Sequence, residues 1–248
     1  MPRRTTRKPA APTVSDAPPD WTPLDETEHV RQVAGLRRLL GKGKPQRRIL
    51  DLGCGDGRTA RPLIALGHRV VGIDRDPRAV WACATADFTC IRADFLHDKA
   101  AWKQAATHGP FDAITCLGHT FLMVTHPDDA LALLERAAAV LRPSTRQSPS
   151  RFIIDDYTAL WREVAEGNWQ EGLSESDAAA ELQQLVWGEA DNTIALRKGR
   201  AVRRSTWRFT KSDEPMRLWT RGELELLARA AGWTFTAHPK DHLGVFSR

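Results

Sequence analysis

The sequence predicts an α/β protein with a doubly wound, mostly parallel sheet of seven strands. Two observations lead to this prediction: short apolar segments alternate with segments of helical periodicity, and several of the apolar segments end in an acid. Such alternation is typical of parallel strands that crossover helices bury on both faces. The predicted parallel strands begin at Arg48, His68, Cys90, Phe111 and Arg151.

A hairpin is predicted at the carboxyl end of the chain. Apolar runs at residues 233–237 and 243–246 can close the sheet, and they make its last strand antiparallel. Just before them, Thr220 and Glu223 have the spacing of a capping box, which opens a helix through Ala231.

Two further helices are predicted from caps and periodicity. Thr22 and Pro23 suit the cap and the first position of an N-terminal helix. Residues 127–141 have apolar side chains at helical spacing and stop before Pro143. The apolar face of the N-terminal helix consists of Val30, Val33, Leu36, Leu39 and Leu40.

An inserted antiparallel β region is predicted over residues 182–210, between the fifth strand and the last helix. Its strands are expected at 184–187, 192–196 and 207–209, with turn signals between them. Five of the nine tryptophans lie between Trp161 and Trp219. They fit either core packing or an aromatic wall for an apolar or cationic substrate.

The most informative segment is the glycine loop after the first strand. Asp51 ends the strand, and Gly53, Gly55 and Gly57 follow at alternate positions before a helix. Such a loop lets the backbone turn tightly and approach a ligand. The acids beside it favour a ligand with positive charge over a pyrophosphate, although an ordinary strand–loop–helix turn has the same pattern.

Two more strands end in an acid at the same predicted edge. Asp74 follows 17 residues after Gly57, where a carboxylate can accept both ribose hydroxyls of an adenosine. Capping of the next helix is the alternative role, and Asp76 suits that role better. Asp94 ends the third strand and is followed by Phe95.

The glycine loop resembles motif I of the class I S-adenosylmethionine-dependent methyltransferases, whose pattern is D/E-x-G-x-G-x-G. The resemblance implies a Rossmann-like fold and S-adenosyl-L-methionine as cofactor, with S-adenosyl-L-homocysteine as product. In that family the loop cradles the methionine part, the first acid serves the ammonium group, the second binds ribose and the third binds adenine. The residues that the resemblance places at the cofactor are Asp51, Gly53, Cys54, Gly55, Gly57, Asp74, Asp94, Phe95 and Leu117.

The loop after the fourth strand is similar to that of the glycine and sarcosine N-methyltransferase-like branch. The shared pattern is Cys-Leu-Gly-x-Thr at residues 116–120, and His119 stands where that branch more often has Asn. Methyl transfer from a sulfonium needs alignment and exclusion of water, and it needs a base only when the nucleophile is protonated. His119 and Tyr157 are therefore the candidate catalytic residues, and His119 equally fits an ordinary loop histidine.

The predicted acceptor is a small molecule, methylated on N or O. The chain has no Asp/Asn-Pro-Pro-aromatic motif for nucleobase amines, no Pro-Cys nucleophile after the fourth strand, and no acid cluster for metal-dependent O-methylation. No metal is therefore expected. Two alternatives stay open, namely an RNA or protein methyltransferase and a non-catalytic module that only binds the cofactor.

Charge is unevenly distributed along this chain of 248 residues with net charge +5. Residues 31–48 and 197–211 each carry seven Lys or Arg and no acid. Such stripes bind nucleic acid in some proteins and are solvated faces more often, so nucleic acid is the less favoured partner.

Composition sets further expectations. Residues 1–20, with five prolines and four basic residues, are expected to form a disordered tail, and residues 21–248 a single domain. No apolar stretch approaches the roughly 18 residues of a membrane span, and the four cysteines form no C-x-x-C pair. We therefore expect a cytoplasmic protein without a membrane segment, and the sequence leaves its oligomeric state open.

Cofactor binding is the first testable prediction. Calorimetry is expected to show S-adenosylhomocysteine binding to the purified protein, because the acidic glycine loop suits a cationic amino acid moiety better than a pyrophosphate. NAD is the control and should fail to compete. Binding of NAD without binding of S-adenosylhomocysteine would contradict the resemblance.

Overall fold

The main sheet has seven strands in the order β10-β11-β5-β4-β1-β2-β3. The computed structural model describes residues 26–41, 45–77, 88–145, 149–158, 161, 173–175, 182–188 and 192–248. The first five strands are parallel, and β11 runs antiparallel to both β5 and β10. The predicted fold class is confirmed. The strands of this sheet are β1 (Arg48–Leu52), β2 (Arg69–Asp74), β3 (Phe88–Arg92), β4 (Ala113–Cys116), β5 (Arg151–Asp155), β10 (Thr234–His238) and β11 (Leu243–Ser247).

Alternate residues of the central strands enter two separate apolar cores, one on each face of the sheet. Ile49 packs with Leu36 and Leu63 on one face, whereas Leu50 packs with Leu133 on the other. Because successive side chains of a strand point to opposite faces, a strand covered on both sides is mostly apolar rather than alternately apolar and polar. This is why the sequence of β1 has no polar alternation.

The helices cover both faces of the sheet. Pro127 follows the cap residue His126, and the predicted helix at 127–141 is confirmed to within one residue. Thr220 and Glu223 form the predicted capping box with both of its hydrogen bonds. No helix among the described residues has the length and apolar character needed to cross a membrane. The helices are α1 (Glu26–Leu40), α2 (Ala60–Ala65), α3 (Lys99–Ala106), α4 (Pro127–Val140) and α5 (Arg221–Ala230).

The N-terminal helix differs from its prediction in one respect. Leu36 and Leu40 are buried as expected, but the Val30 side chain is 60% exposed. The polar Gln32 is buried instead, because its amide donates to the Asp155 carboxylate at 2.7 Å. The predicted start at Thr22 and Pro23 and the predicted tail at 1–20 lie outside the described residues.

A second, antiparallel sheet lies between β5 and α5 in the chain. Its strands are β6 (Leu173–Glu175), β7 (Leu182–Trp187), β8 (Thr193–Lys198) and β9 (Met216–Arg217), in the order β6-β7-β8-β9. The inserted antiparallel region is thus present and extends beyond the predicted 182–210. The strand predicted at 207–209 is wrong, because the strand that pairs with β8 is Met216–Arg217.

The segment that was expected to form that strand is a loop around a buried guanidinium. Arg197 on β8 donates to the carbonyls of Thr206 at 2.5 Å and Arg208 at 2.9 Å, so these groups bond to a side chain instead of a strand ladder. The same guanidinium forms an ion pair with Asp213 at 2.6 Å, and both side chains are at most 5% exposed. One buried ion pair therefore shapes the loop from 199 to 215.

The Arg197–Asp213 pair yields a stability prediction. Asp213→Ala should lower the free energy of unfolding by about 3–5 kcal/mol, because it leaves the Arg197 charge buried without its counter-ion. Urea unfolding measures this. Arg221→Ala, which removes an exposed ion pair with Glu225, is the matched control and should cost less than about 1 kcal/mol.

The same pair predicts a pH dependence. The hydrogen bonds from Arg197 lower the pKa of Asp213 from 3.8 to about 2. Stability from this carboxylate is therefore present above about pH 4 and is lost as the pH falls toward 2. Asp213→Asn should show less loss over this interval than the wild type, and identical pH profiles would contradict the assignment.

Candidate functional site

The carboxyl ends of the parallel strands form one edge of the main sheet, where the predicted site residues lie. Leu52 at the end of β1 is in register with Ile73 on β2, and Asp51 is in register with Thr115 on β4. The strand order reverses between β1 and β4, and ligands of open α/β sheets bind in the crevice at such a point. The topology therefore brings the predicted residues of β1, β2 and β4 to one crevice.

Asp51 lies beneath this edge, between two strands. It is 2% exposed, and its Oδ1 accepts a hydrogen bond from the Thr115 hydroxyl at 2.7 Å. The carboxylate therefore joins β1 to β4 directly before the glycine loop. The contact of Asp51 with the cofactor ammonium group stays a prediction.

The glycine loop requires backbone conformations that favour glycine. Gly53, Gly55 and Gly57 have φ values of 66°, 51° and 88°. A Cβ on Gly53 would lie 2.4 Å from the Thr120 methyl, so this glycine is packed against the loop after β4. Among the described residues, no atom lies within 4 Å of the position that a Cβ on Gly55 would take. That side of the loop is therefore open in the part of the chain that the structure describes, which fits a ligand cradle.

Asp74 fastens this cradle to the end of β2. Its Oδ2 accepts a hydrogen bond from the Gly55 amide at 2.8 Å, and its Oδ1 accepts one from the Asp76 amide at 2.8 Å. A carboxylate offers about four acceptor positions, so these bonds are compatible with further bonds to ribose hydroxyls. The structure thus adds a positioning role to the predicted ribose contact.

Asp94 and Phe95 form a turn held by α3. The Asp94 Oδ1 accepts from the Leu96 amide at 2.8 Å, and the Phe95 carbonyl accepts from the Trp102 indole at 2.8 Å. Both predicted adenine contacts are half-buried. Hydrogen bonds therefore hold the turn through the Asp94 side chain and through the Phe95 backbone.

Cys54 and Leu117 are buried in the loops that were predicted to touch the cofactor. Cys54 is 5% exposed, and its sulfur lies 3.5 Å from the Cys90 sulfur on β3. Leu117 is 4% exposed, and its carbonyl accepts from the Thr120 hydroxyl at 2.9 Å. Both side chains pack within the apolar core on the α1 and α2 face.

Asp155 joins three segments at the end of β5, and the sequence analysis did not single it out. Its carboxylate accepts from the Gln32 amide group on α1 at 2.7 Å, from the Gly118 amide at 3.1 Å and from the His119 amide at 2.8 Å. It is 3% exposed. The sequence feature that could have identified Asp155 is its place as the acid at the end of a buried strand. Asp51 has the same kind of place.

His119 is held in an unusual conformation by this junction. Its φ is 65°, a left-handed value that few residues other than glycine adopt, and its side chain is half-buried. Strained residues of this kind are common at functional sites. This conformation is consistent with a functional position for His119. Its catalytic role stays a prediction.

Arg58 is a second residue that the sequence analysis missed. Its guanidinium lies 3.3 Å from the ring of His29 on α1 and occupies the space where a Cβ on Gly118 would stand. It is half-buried, directly after the glycine loop. Its position places a cation where α1, the glycine loop and the loop after β4 meet.

Tyr157 is buried beyond the end of β5. Burial, together with the nearby Asp155 carboxylate, raises the pKa of its hydroxyl well above the ordinary value. A phenol with a raised pKa stays protonated at neutral pH and donates hydrogen bonds rather than accepting a proton.

Among the described residues, no cluster of three or more His, Cys, Asp or Glu side chains could hold a metal ion.

Comparison with known proteins identifies the part of the chain that contains this edge. Residues 49–144 match the family model described as a methyltransferase domain. The predicted resemblance to class I methyltransferases is confirmed, whereas its glycine and sarcosine branch is not and stays a prediction.

Relatives and solved structures agree with this domain. The chain is 31% identical over 100 residues to a ubiquinone biosynthesis O-methyltransferase from Xanthomonas campestris pv. campestris, which is 40% of each chain. The aligned stretch thus spans less than half of that relative. The CcbJ methyltransferase from Streptomyces caelestis superposes with a TM-score of 0.60 at 16% identity and covers 94% of this chain and 92% of its own.

A further solved structure has the same fold. It is the S-adenosylmethionine-bound CalS10 from Micromonospora echinaspora, an amino pentose methyltransferase involved in calicheamicin biosynthesis. Its TM-score is 0.57 at 15% identity, and the match covers 89% of this chain and 91% of that chain. At these identities the likeness shows the fold alone.

Asp74 provides the prediction for this edge. Asp74→Ala should weaken S-adenosylhomocysteine binding by about 1.5–3 kcal/mol per charged hydrogen bond that is lost. Calorimetric titration of both proteins measures the change. Asp76→Ala is the matched control, because the bond from residue 76 to Asp74 uses its backbone amide and survives. Equal affinities of Asp74→Ala and wild type would place the ribose elsewhere.

Proposed function

We propose that this protein is an S-adenosylmethionine-dependent methyltransferase that transfers a methyl group to N or O of a small molecule. The observation that carries the proposal is the glycine loop, where Asp74 binds the Gly55 amide at 2.8 Å and a Cβ on Gly55 would meet no described atom within 4 Å. The matching methyltransferase domain over residues 49–144 supports it.

The residues at the edge fit this cofactor. Gly53, Gly55 and Gly57 would cradle its methionine part, Asp74 its ribose, and the Asp94–Phe95 turn its adenine. Asp51 would act on the ammonium group, and Cys54 and Leu117 would line the site. S-adenosylmethionine, when bound, supplies an electrophilic methyl group on a sulfonium sulfur. Arg58 adds a guanidinium beside the loop, which suits the cofactor carboxylate.

The protein's own contribution is alignment and control of a proton. Charge is dispersed in this displacement, so the main requirement is a fixed acceptor in a site without bulk water. The Asp155 carboxylate accepts a hydrogen bond from the His119 amide at 2.8 Å and thereby fixes the backbone that carries the imidazole. His119 would orient the acceptor or accept its proton when the nucleophile is a hydroxyl or an ammonium.

The proposed acceptor site lies between the loop at residues 118–120 and the second sheet. Arg217 on β9 donates to the Thr125 carbonyl at 3.2 Å, and the Trp219 ring lies 5.5 Å from that of Phe121. These contacts seat the inserted region on the segment after β4. An insertion in this position suits a lid over a small acceptor. The relatives named for a quinone pathway and for an amino pentose support oxygen or nitrogen as the methylated atom.

An observation on the loop after β8 favours the alternative of a nucleic-acid substrate. The exposed side chains of this loop include Arg203, Arg204, Trp207 and Phe209. Exposed cations with aromatic side chains suit nucleic acid. An RNA or protein methyltransferase, or a module that only binds the cofactor, would share the edge described above. The acceptor therefore needs a direct test.

Two measurements test the proposed activity, namely methyl transfer to small acceptors and the salt dependence of binding affinity. The protein is expected to form S-adenosylhomocysteine from S-adenosylmethionine with small phenols or amino sugars. Phosphate contacts would make affinity fall by about 0.7–0.9 log units per contact per log unit of salt, whereas a neutral acceptor should be nearly insensitive. Salt-sensitive tRNA or rRNA binding, lost in the Arg203→Ala/Arg204→Ala variant, would contradict the small-molecule proposal.

A further inference from the structure

A cavity of about 230 Å³ lies beyond the carboxyl end of β5, between the start of α5 and the end of β10. Four of its ten lining residues are aromatic, and the lining comes from parts of the chain that are far apart in sequence. An apolar cavity of about 150 Å³ already accepts a benzene ring, so this volume suits one ring with small substituents. The side chains that matter here are Tyr157, Trp161, Trp219 and Phe235.

Two of the lining residues carry a buried polar group. The Tyr157 hydroxyl and the Trp219 indole N–H have no hydrogen-bond partner among the described residues. Tyr157 is 3% exposed and Trp219 is 2% exposed. A buried polar group without a partner costs about 1–3 kcal/mol, so such groups usually meet a water or a ligand. Both groups can donate, so a ligand that satisfies both offers acceptor atoms.

The charged side chains of the lining are already engaged. Arg221 bonds to Glu225 at 2.9 Å, and the Asp156 carboxylate accepts from the Thr158 hydroxyl at 2.9 Å. The Arg221 charge therefore has its own counter-ion, and the Asp156 carboxylate has a hydrogen-bond donor. The cavity thus favours an uncharged ring over a carboxylate or an ammonium ion.

The position of the cavity links it to the acceptor side of the sheet. Tyr157 is two residues beyond Asp155, whose carboxylate holds His119. Trp219 contacts Phe121 in the segment after β4. In open α/β sheets this part of the edge lies across the crevice from the β1–β2 loops. The lining thus contains no residue of the glycine loop, and Trp219 connects the cavity to Phe121 in the segment after β4.

We propose that this cavity binds a planar, uncharged ring of the acceptor, with a ring oxygen substituent as partner for Tyr157 and Trp219. The inference rests on the proposed methyltransferase function and specifies its substrate class as ring compounds with a hydroxyl, ether or carbonyl oxygen. Tyr157 is then a binding residue that donates from its hydroxyl. Its raised pKa is consistent with this role.

The test measures binding of three small probes by saturation-transfer NMR. Phenol carries a planar ring and an oxygen, toluene lacks the oxygen, and cyclohexanol lacks the planar ring. Wild-type protein is expected to bind phenol more tightly than toluene or cyclohexanol. Tyr157→Phe should weaken phenol binding about fivefold, the equivalent of one hydrogen bond, and leave toluene binding unchanged.

Trp233→Phe is the matched control. Trp233 is a buried tryptophan whose indole nitrogen also has no partner among the described residues, and it does not line the cavity. This variant should bind phenol like the wild type. The Tyr157→Phe melting temperature should equal or exceed that of wild type, because the substitution removes a buried hydroxyl without a partner.

Titration with S-adenosylhomocysteine separates this proposal from the proposed function. Unchanged S-adenosylhomocysteine affinity in Tyr157→Phe with weakened phenol binding supports the ring site. No detectable phenol binding, or equal phenol binding by Tyr157→Phe and wild type, overturns the ring site while leaving the cofactor site intact. Failure of wild-type protein to bind S-adenosylhomocysteine overturns the proposed function itself.

Discussion

The functional edge depends on strand-end carboxylates that accept hydrogen bonds from loop backbone. A loop at the end of a parallel strand has amides that neither helix nor sheet satisfies. Asp74 binds the amide of Gly55, and Asp155 binds those of Gly118 and His119. The same residues hold the loops in left-handed conformations that present backbone to a ligand. The order of each loop thus depends on a strand-end carboxylate.

Around this edge, the additions to the domain attach to the loops rather than to the strands. Gln32 joins α1 to Asp155, and Arg58 joins the glycine loop to His29. On the other side, Arg217 joins the second sheet to the segment after β4. These links enclose the edge from two directions, and such enclosure excludes water from a displacement reaction.

Much of the main sheet and of the cofactor half could be predicted, because their signals are local in sequence. The strand at 48–52, the glycines after it and the acid at 74 lie within one βαβ unit. The strand at 207–209 was mispredicted, because its apolar alternation was overridden by Arg197, which binds the carbonyls of Thr206 and Arg208. Val30 likewise fits an apolar helix face and yet is exposed, because Gln32 has the buried contact.

The sequence by itself determined the order of strands and helices, the glycine loop, and the acids at the ends of β1 and β2. Periodicity and turn chemistry act over a few residues, so they can be read without knowing what the chain packs against. Only the tertiary structure decided that Asp155 binds the His119 amide and that Tyr157 and Trp219 line one cavity. These residues meet through contacts between distant segments, and no local pattern encodes which buried polar group finds a partner.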